Sequence, residues 1–175
     1  MAEITLHPHE RALTRLNGLS AEAARRELLT CCAATDLADS VAASRPYESL
    51  DDLLNASDDA IAKLTENGIA EALAAHPRIG QRADGEGREA DWSRREQSGA
   101  ADASPAVKRA LAEGNAAYEQ RFDQVFLICA AGLSAETMLA DLHTRLGNDP
   151  ATERAVVREE LRKITRLRLR KLVDS

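Results

Sequence analysis

His76 is the residue of this chain best suited to act as a general acid or base. It stands directly before Pro77, at the end of a run of helical composition from Ala70 to Ala75 and ahead of a charged stretch that contains glycines. Because proline disfavours helical backbone at the residue before it, the helix should stop at His76 and leave the imidazole facing a cleft. Imidazole titrates near neutral pH and suits proton transfer. A lone His-Pro pair is more often structural than catalytic, so the residues around it must indicate which role His76 has.

A second group of polar residues follows about twenty positions later. Ser93 and Glu96 are three residues apart, and Ser93 and Gln97 are four apart, so on a helix all three project from one face. A hydroxyl, a carboxylate and an amide together can hold a small polar heterocycle. The alternative interpretation is an exposed helix that keeps Arg94 and Arg95 in water.

Other reactive side chains give weaker signals. His143 falls within a predicted helix, as a surface or satisfied side chain, while His7 and His9 are interpreted as part of a solvated N-terminal segment. Neither CxxC, HExxH nor an EF-hand loop occurs, so a metal is not implied. Phosphate-cradling and dinucleotide glycine patterns and the GxSxG elbow are also missing. Cys129 lies in an apolar segment, where a thiol is usually inert.

The C-terminal run KITRLRLRK at 163–171 concentrates positive charge in a chain whose net charge is −6. Basic residues near a helix end can simply complement the helix dipole. An arginine there can instead bind a carboxylate through two parallel hydrogen bonds. An anionic substrate would need such a local patch.

Composition favours one helical domain. The 175 residues are 44% hydrophobic and 3% aromatic, and they are rich in Ala, Leu, Arg and Glu, which are good helix formers. We therefore expect an all-α fold over 1–175 and no binding to nucleic acid. Apolar runs are too short to cross a membrane and MAEITLHPHE does not resemble a secretion signal, so a cytoplasmic protein is expected. Cys31 and Cys32, as neighbours, should be reduced and buried.

Capping residues predict an irregular bundle of about eight helices. A break is expected at Arg45-Pro46, a loop from Arg78 to Ala90, and an extended segment from Val125 to Cys129. The predicted helices begin at or near Ser20, Asp36, Ser49, Ser57, Ala70, Asp91, Ser104-Pro105, Ser134 and Asp149-Pro150. The helix from Ser49 is expected to end at 55, the helix from Ser57 at 66, and the final helix at about Val173.

Taken in order, several segments resemble the OHCU decarboxylases, where OHCU is 2-oxo-4-hydroxy-4-carboxy-5-ureidoimidazoline. The similarity covers nearly the whole chain, and its collinearity is more specific than any single motif. It rests on LNGLSAEAARRELLTCCAA, RPYESLDDLL, EALAAHPRIG at 71–80, WSRREQSGA at 92–100, LAEGNAAYEQRF at 111–122, FLICAAGLSAETMLADLHTRLGN at 126–148 and KITRLRL at 163–169.

The resemblance implies an all-α fold, usually dimeric, that acts in urate breakdown without metal or organic cofactor. It implies that the small anionic ureidoimidazoline loses CO2 and becomes (S)-allantoin. His76 corresponds to the proposed proton donor, and Glu96 would orient it or a ureido N–H. The substrate-binding residues implied by the family are Pro77, Ser93, Gln97, Ile128, Cys129, Ala130, Ala131, Gly132 and Arg168, with Arg166 as the alternative to Arg168.

Two positions depart from the family pattern. Leu37 stands where relatives commonly have tryptophan, which alters packing rather than chemistry, and Ala131 stands where relatives often have arginine. Any ligand contact at Ala131 must then come from backbone. Two alternatives to the decarboxylase stay open at this stage: another small-ring ureide lyase or hydrolase on the same scaffold, and a non-catalytic helical module that binds an anion.

Overall fold

The structure of the chain, a computed structural model, describes residues 8–174 and consists of helices joined by loops, with no strand in that range. His7 and the side chain of His9 lie outside what is described. The all-α expectation is confirmed, with ten helices between Pro8 and Asp174 rather than about eight. They are α1 (Pro8–Gly18), α2 (Ala21–Cys31), α3 (Thr35–Ala43), α4 (Leu50–Lys63), α5 (Glu66–Ala74), α6 (Arg88–Glu96), α7 (Ser98–Ala101), α8 (Pro105–Phe122), α9 (Ala135–Arg145) and α10 (Pro150–Asp174).

The chain divides into two compact units. The first comprises residues up to Ile69 together with Arg162 onward, and in it α3 packs against both α2 and α4. Ser20 caps α2, and the chain breaks after α3 at a cis Arg45-Pro46 bond, as the proline predicts. Cys31 and Cys32 are buried and are not joined to each other.

The prediction of two short helices at 49–55 and 57–66 is wrong, because α4 is continuous from Leu50 to Lys63. Ser49 does cap it, in a reciprocal box with Asp52. Ser57, however, is fully buried on the same face as Leu53 and Leu54. The apolar periodicity therefore continues through Ser57, and tertiary burial overrides its local preference for a helix start.

The second unit runs from Ala70 to Leu161. Its core lies where α8 packs against α9, around the fully buried Leu111, Met138 and Leu142. Ser104 and Ser134 cap these two helices as predicted. Gly114 lets the helices approach closely, since a Cβ there would lie 2.6 Å from a Leu142 methyl carbon.

Two predicted segments differ from expectation. The stretch from Val125 to Cys129, expected to be extended, is neither helix nor strand and leads from α8 towards the cap of α9. The expected loop from Arg78 to Ala90 ends early, because α6 begins at Arg88. Within residues 8–174, no helix combines the length and the apolar content needed to span a membrane.

Candidate active site

His76 follows α5, and its position agrees with the helix stop that Pro77 predicts. Its Nδ1 lies 2.8 Å from the carbonyl oxygen of Ala72, one turn earlier. A carbonyl can only accept, so Nδ1 carries the proton and donates it, which assigns the lone pair of the neutral ring to Nε2. The imidazole ring is half-buried, and its Nε2 atom is buried. In its neutral form His76 is thus held in one tautomer, with the proton on Nδ1 and the basic lone pair on the buried Nε2.

Three contacts fix the turn that follows Pro77. Ile79 is buried, and its carbonyl accepts a hydrogen bond from Asn115 Nδ2 at 2.9 Å. The N–H of Gly80 donates to Gln97 Oε1 at 3.1 Å. Gly80 has a φ of +85°, a conformation that glycine adopts without strain. Residues 76–80 are therefore anchored to both α6 and α8.

The third contact is an ion pair between Arg78 and Glu119 on α8, with Arg78 Nη2 2.8 Å from Glu119 Oε2. The hydrogen bond from Arg78, aided by its charge and opposed by slight desolvation, lowers the pKa of the Glu119 carboxyl. The stabilisation it gives is present above a glutamate's ordinary pKa, near 4.5, and is lost as the pH falls through the lowered value. At neutral pH the pair therefore contributes fully to anchoring the turn.

The polar triad lies on the last turn of α6. Ser93 and Glu96 are both buried, with 7% and 8% exposure, which excludes the exposed-helix interpretation for these two side chains. Gln97 is the residue that ends the helix, and its backbone N–H bonds to the Ser93 carbonyl at 3.0 Å. Because its Oε1 already accepts from Gly80, Gln97 retains its amide N–H groups for other partners.

A cavity of about 380 Å³ opens beside this turn, and Ser93 and Gln97 are among its lining residues. Arg82, Arg94 and Lys108 also line it, so the cavity presents three cationic side chains. Its volume suits a small polar anion. His76, Pro77 and Glu96 are not part of this lining, so the cavity brings together only part of the predicted set.

The predicted ligand-contacting segment, Ile128 to Gly132, leads into a turn closed by a hydrogen bond from Leu133 N–H to the Ala130 carbonyl at 3.0 Å. Gly132 adopts a φ of +77°. Ile128 and Ala130 are buried, Cys129 is half-buried, and Ala131 is exposed.

Arg168 belongs to the first unit, on α10, and is 5% exposed. The alternative, Arg166, donates to Asp58 Oδ2 at 2.7 Å, and Arg162 reaches the same oxygen. Arg166 is therefore already engaged by a carboxylate. No cluster of three or more metal-ligating side chains occurs in the part of the chain that the structure describes.

Sequence reasoning missed the residues that hold these segments. Asn115 and Glu119 fix the turn after Pro77 from 36 and 41 positions away. Glu160 and Arg145 bond the backbone of the 127–129 stretch. A usable signal existed for Glu160, because it falls seven residues after Glu153 and one before Leu161, within the apolar stripe of α10.

Comparison with known proteins places the chain in a family. A family model for OHCU decarboxylase matches residues 17–170. The "Uric acid degradation bifunctional protein TTL" of Arabidopsis thaliana is 33% identical over 161 residues, which cover 90% of this chain and 49% of that protein. This chain thus spans about half the length of that relative. The 2-oxo-4-hydroxy-4-carboxy-5-ureidoimidazoline decarboxylase of Amia calva is 34% identical over 142 residues, covering 79% of this chain and 80% of the relative.

Two solved structures are similar to this chain in fold. A crystal structure of OHCU decarboxylase in the presence of (S)-allantoin superposes with a TM-score of 0.75 at 30% identity, covering 85% of this chain and 98% of that one. A crystal structure of (S)-allantoin synthase gives a TM-score of 0.70 at 20% identity, covering 93% of this chain and 54% of the other, and it supports the fold alone.

The fold and the family model together define an all-helical protein of the OHCU decarboxylase type. The chain belongs to the OHCU decarboxylase family.

Asn115→Leu should loosen the turn that carries Pro77. The change leaves the buried Ile79 carbonyl without its donor, which costs about 1–3 kcal/mol. We expect faster tryptic cleavage after Arg82 under native conditions and a lower melting temperature. Glu113→Ala, on the exposed face of the same helix, is the control and should change neither. Equal cleavage of wild type and Asn115→Leu would contradict the anchoring role of Asn115.

Proposed function

We propose that this chain decarboxylates 2-oxo-4-hydroxy-4-carboxy-5-ureidoimidazoline to (S)-allantoin. The observation that carries the proposal is the Gly80–Gln97 hydrogen bond, because it ties the turn after His76 to the helix that bears Ser93 and Glu96. Four residues of chain span at most about 14 Å, so His76 stays within that distance of the anchored Gly80. This bound supports an arrangement in which the imidazole and the polar helical face serve one site.

The proposed roles follow from the side chains. His76 is the proton-transfer group, and Glu96 orients either His76 or a ureido N–H. Ser93 and Gln97 hold the ring, while Pro77 and the backbone of residues 128–132 line the site. Arg168 binds the substrate carboxylate, as the family resemblance implies, and Arg166, which pairs with Asp58, is the alternative.

The decarboxylation requires a group that accepts the electron pair of the broken C–C bond and a group that donates a proton. When the carboxylate leaves as CO2, the electron pair of the broken C–C bond forms a double bond to the adjacent ring carbon, and the imine nitrogen takes up the displaced C=N electron pair together with a proton. A proton then adds to one face of the ureido-bearing carbon, while the hydroxyl gives up its own proton and becomes the ring carbonyl. Donors fixed in advance around this charge lower the barrier, and delivery of the proton from one side sets the configuration of the product.

Location and assembly belong to the same proposal. We propose a cytoplasmic protein that acts as a homodimer, with 1–175 as a single functional domain built from the two compact units. The family model supports the single functional domain, because it spans residues 17–170 and so includes residues of both units.

Product stereochemistry gives the direct test. Freshly generated substrate decays on its own to racemic allantoin, so circular dichroism separates catalysis from background. We expect the purified chain to accelerate CO2 release and to produce a single enantiomer. Racemic product formed at the spontaneous rate would overturn the proposal. Faster turnover of a neighbouring ureide than of this substrate would favour a different small-ring lyase or hydrolase.

His76→Ala should lower kcat/KM by at least 100-fold, the lower end of what general acid–base catalysis contributes. The fold should persist, because His76 lies beyond the end of α5 and is not part of a core. His143→Ala, at an exposed position on α9, is the matched histidine control and should retain full activity. A loss of less than tenfold in His76→Ala would remove His76 from proton transfer.

Glu96→Gln keeps the shape of the side chain and removes its charge. Glu96 is 8% exposed, so water cannot readily take over the electrostatic role of its carboxylate. We therefore expect kcat to fall about 10- to 100-fold, with a melting temperature close to that of wild type. The control is Glu89→Gln, exposed in the first turn of the same helix. Full activity in Glu96→Gln would show that the carboxylate takes no part in the reaction.

A further inference from the structure

Two buried charged side chains bond the backbone that leads into the 128–132 segment. Glu160, on α10, accepts a hydrogen bond from the N–H of Cys129 at 2.7 Å. Arg145, in the last turn of α9, donates from Nη1 to the carbonyl of Leu127 at 2.7 Å. The two bonds flank Ile128, one residue before it and one after it.

Both side chains are removed from water, with 9% exposure for Glu160 and 6% for Arg145. Burying an ionised group is costly unless strong partners compensate, and hydrogen bonds to a charged group are the strong ones. A neutral turn in this place could satisfy its backbone with ordinary polar groups or water. Here two buried side chains make these bonds instead, and together they hold the path of residues 127–129.

The backbone of the residues that follow is also held in place. Ala130 closes a turn with Leu133, and Gly132 adopts its positive φ within that turn. Ile128 and Ala130 pack into the core formed with Met138 and Leu142. Residues 127–133 are therefore fixed by side-chain bonds at the start, by core packing in the middle and by the turn at the end.

We propose that Glu160 and Arg145 are positioning residues, which set the backbone of residues 128–132 against the substrate without touching it. This inference rests on the proposed function, in which that backbone contacts the ligand. Misplacing a ligand contact by about 1 Å can cost on the order of 100-fold in rate, so fixing this segment before substrate arrives has a direct catalytic effect. Because the segment follows two anchored peptide groups, its position depends on both side chains.

Glu160→Ala removes the acceptor of the Cys129 N–H, whereas Glu160→Gln retains an oxygen at nearly the same place. We expect kcat/KM to fall 10- to 100-fold in Glu160→Ala and to stay within threefold of wild type in Glu160→Gln. Glu160→Asp, which retracts the carboxylate by about 1.5 Å, should lie between them and serves if Glu160→Ala does not fold. Ile61→Val, in the core of the first unit, is the control for a general loss of stability and should keep full activity.

Amide hydrogen exchange separates this inference from the proposed function. In Glu160→Ala the Cys129 amide should exchange at least tenfold faster than in wild type, whether or not the protein turns over substrate. Unchanged exchange would overturn the anchoring itself. Faster exchange with unchanged kcat and KM would overturn the positioning role and leave a structural one. An inactive wild-type protein would refute the proposed function, and the positioning role with it, while the exchange rates still report whether Glu160 anchors the backbone.

Discussion

The second unit depends on one buried carboxylate, that of Glu153 on α10. It is 1% exposed and accepts hydrogen bonds from the hydroxyl of Tyr118, from Nε and Nη2 of Arg145, and from the side-chain amide of Asn148. Removing one partner from such a pair leaves an uncompensated charge, at about 3–5 kcal/mol. Burial and the bond to Glu153 raise the pKa of Tyr118 to about 12, so its hydroxyl remains a donor at physiological pH. The network joins α8, α9 and α10.

The same arginine links this network to the candidate site. Arg145 lies over the ring of Phe126, 4.5 Å from its centroid, and donates to the carbonyl of Leu127. Its planar guanidinium offers five N–H donors in fixed directions, which lets one side chain satisfy Glu153 and the backbone together. A lysine could not make both contacts. The position of the 128–132 segment is therefore fixed by the electrostatics that hold the unit together.

Local signals in the sequence predicted much of this structure. Ser104 and Ser134 could be predicted as N-caps, because capping involves only the next three residues. The end of α5 could be predicted as well, because Pro77 clashes with the residue immediately before it. Ser57 misled the prediction because its burial depends on distant packing. Glu160 was missed for the same reason: it bonds Cys129, 31 positions away, whereas a charge on a helix is ordinarily solvated. Residue types could be read locally, but their partners could not.

Local charge also resolves a conflict between the acidic chain and the anionic substrate proposed for it. Beyond about 8–10 Å, physiological salt largely screens exposed charges, so the net charge of −6 has little influence on a ligand held in one cavity. The groups that act there are the nearest ones, and the cavity beside Ser93 and Gln97 is lined by Arg82, Arg94 and Lys108. Arg94 also donates to the carbonyls of Ala83 and Gly85, at 3.2 Å each, which holds the loop that shapes this cavity. Arg94 thus orders the surrounding loop and adds positive charge to the cavity, so the acidic chain keeps one surface suited to the proposed anionic substrate.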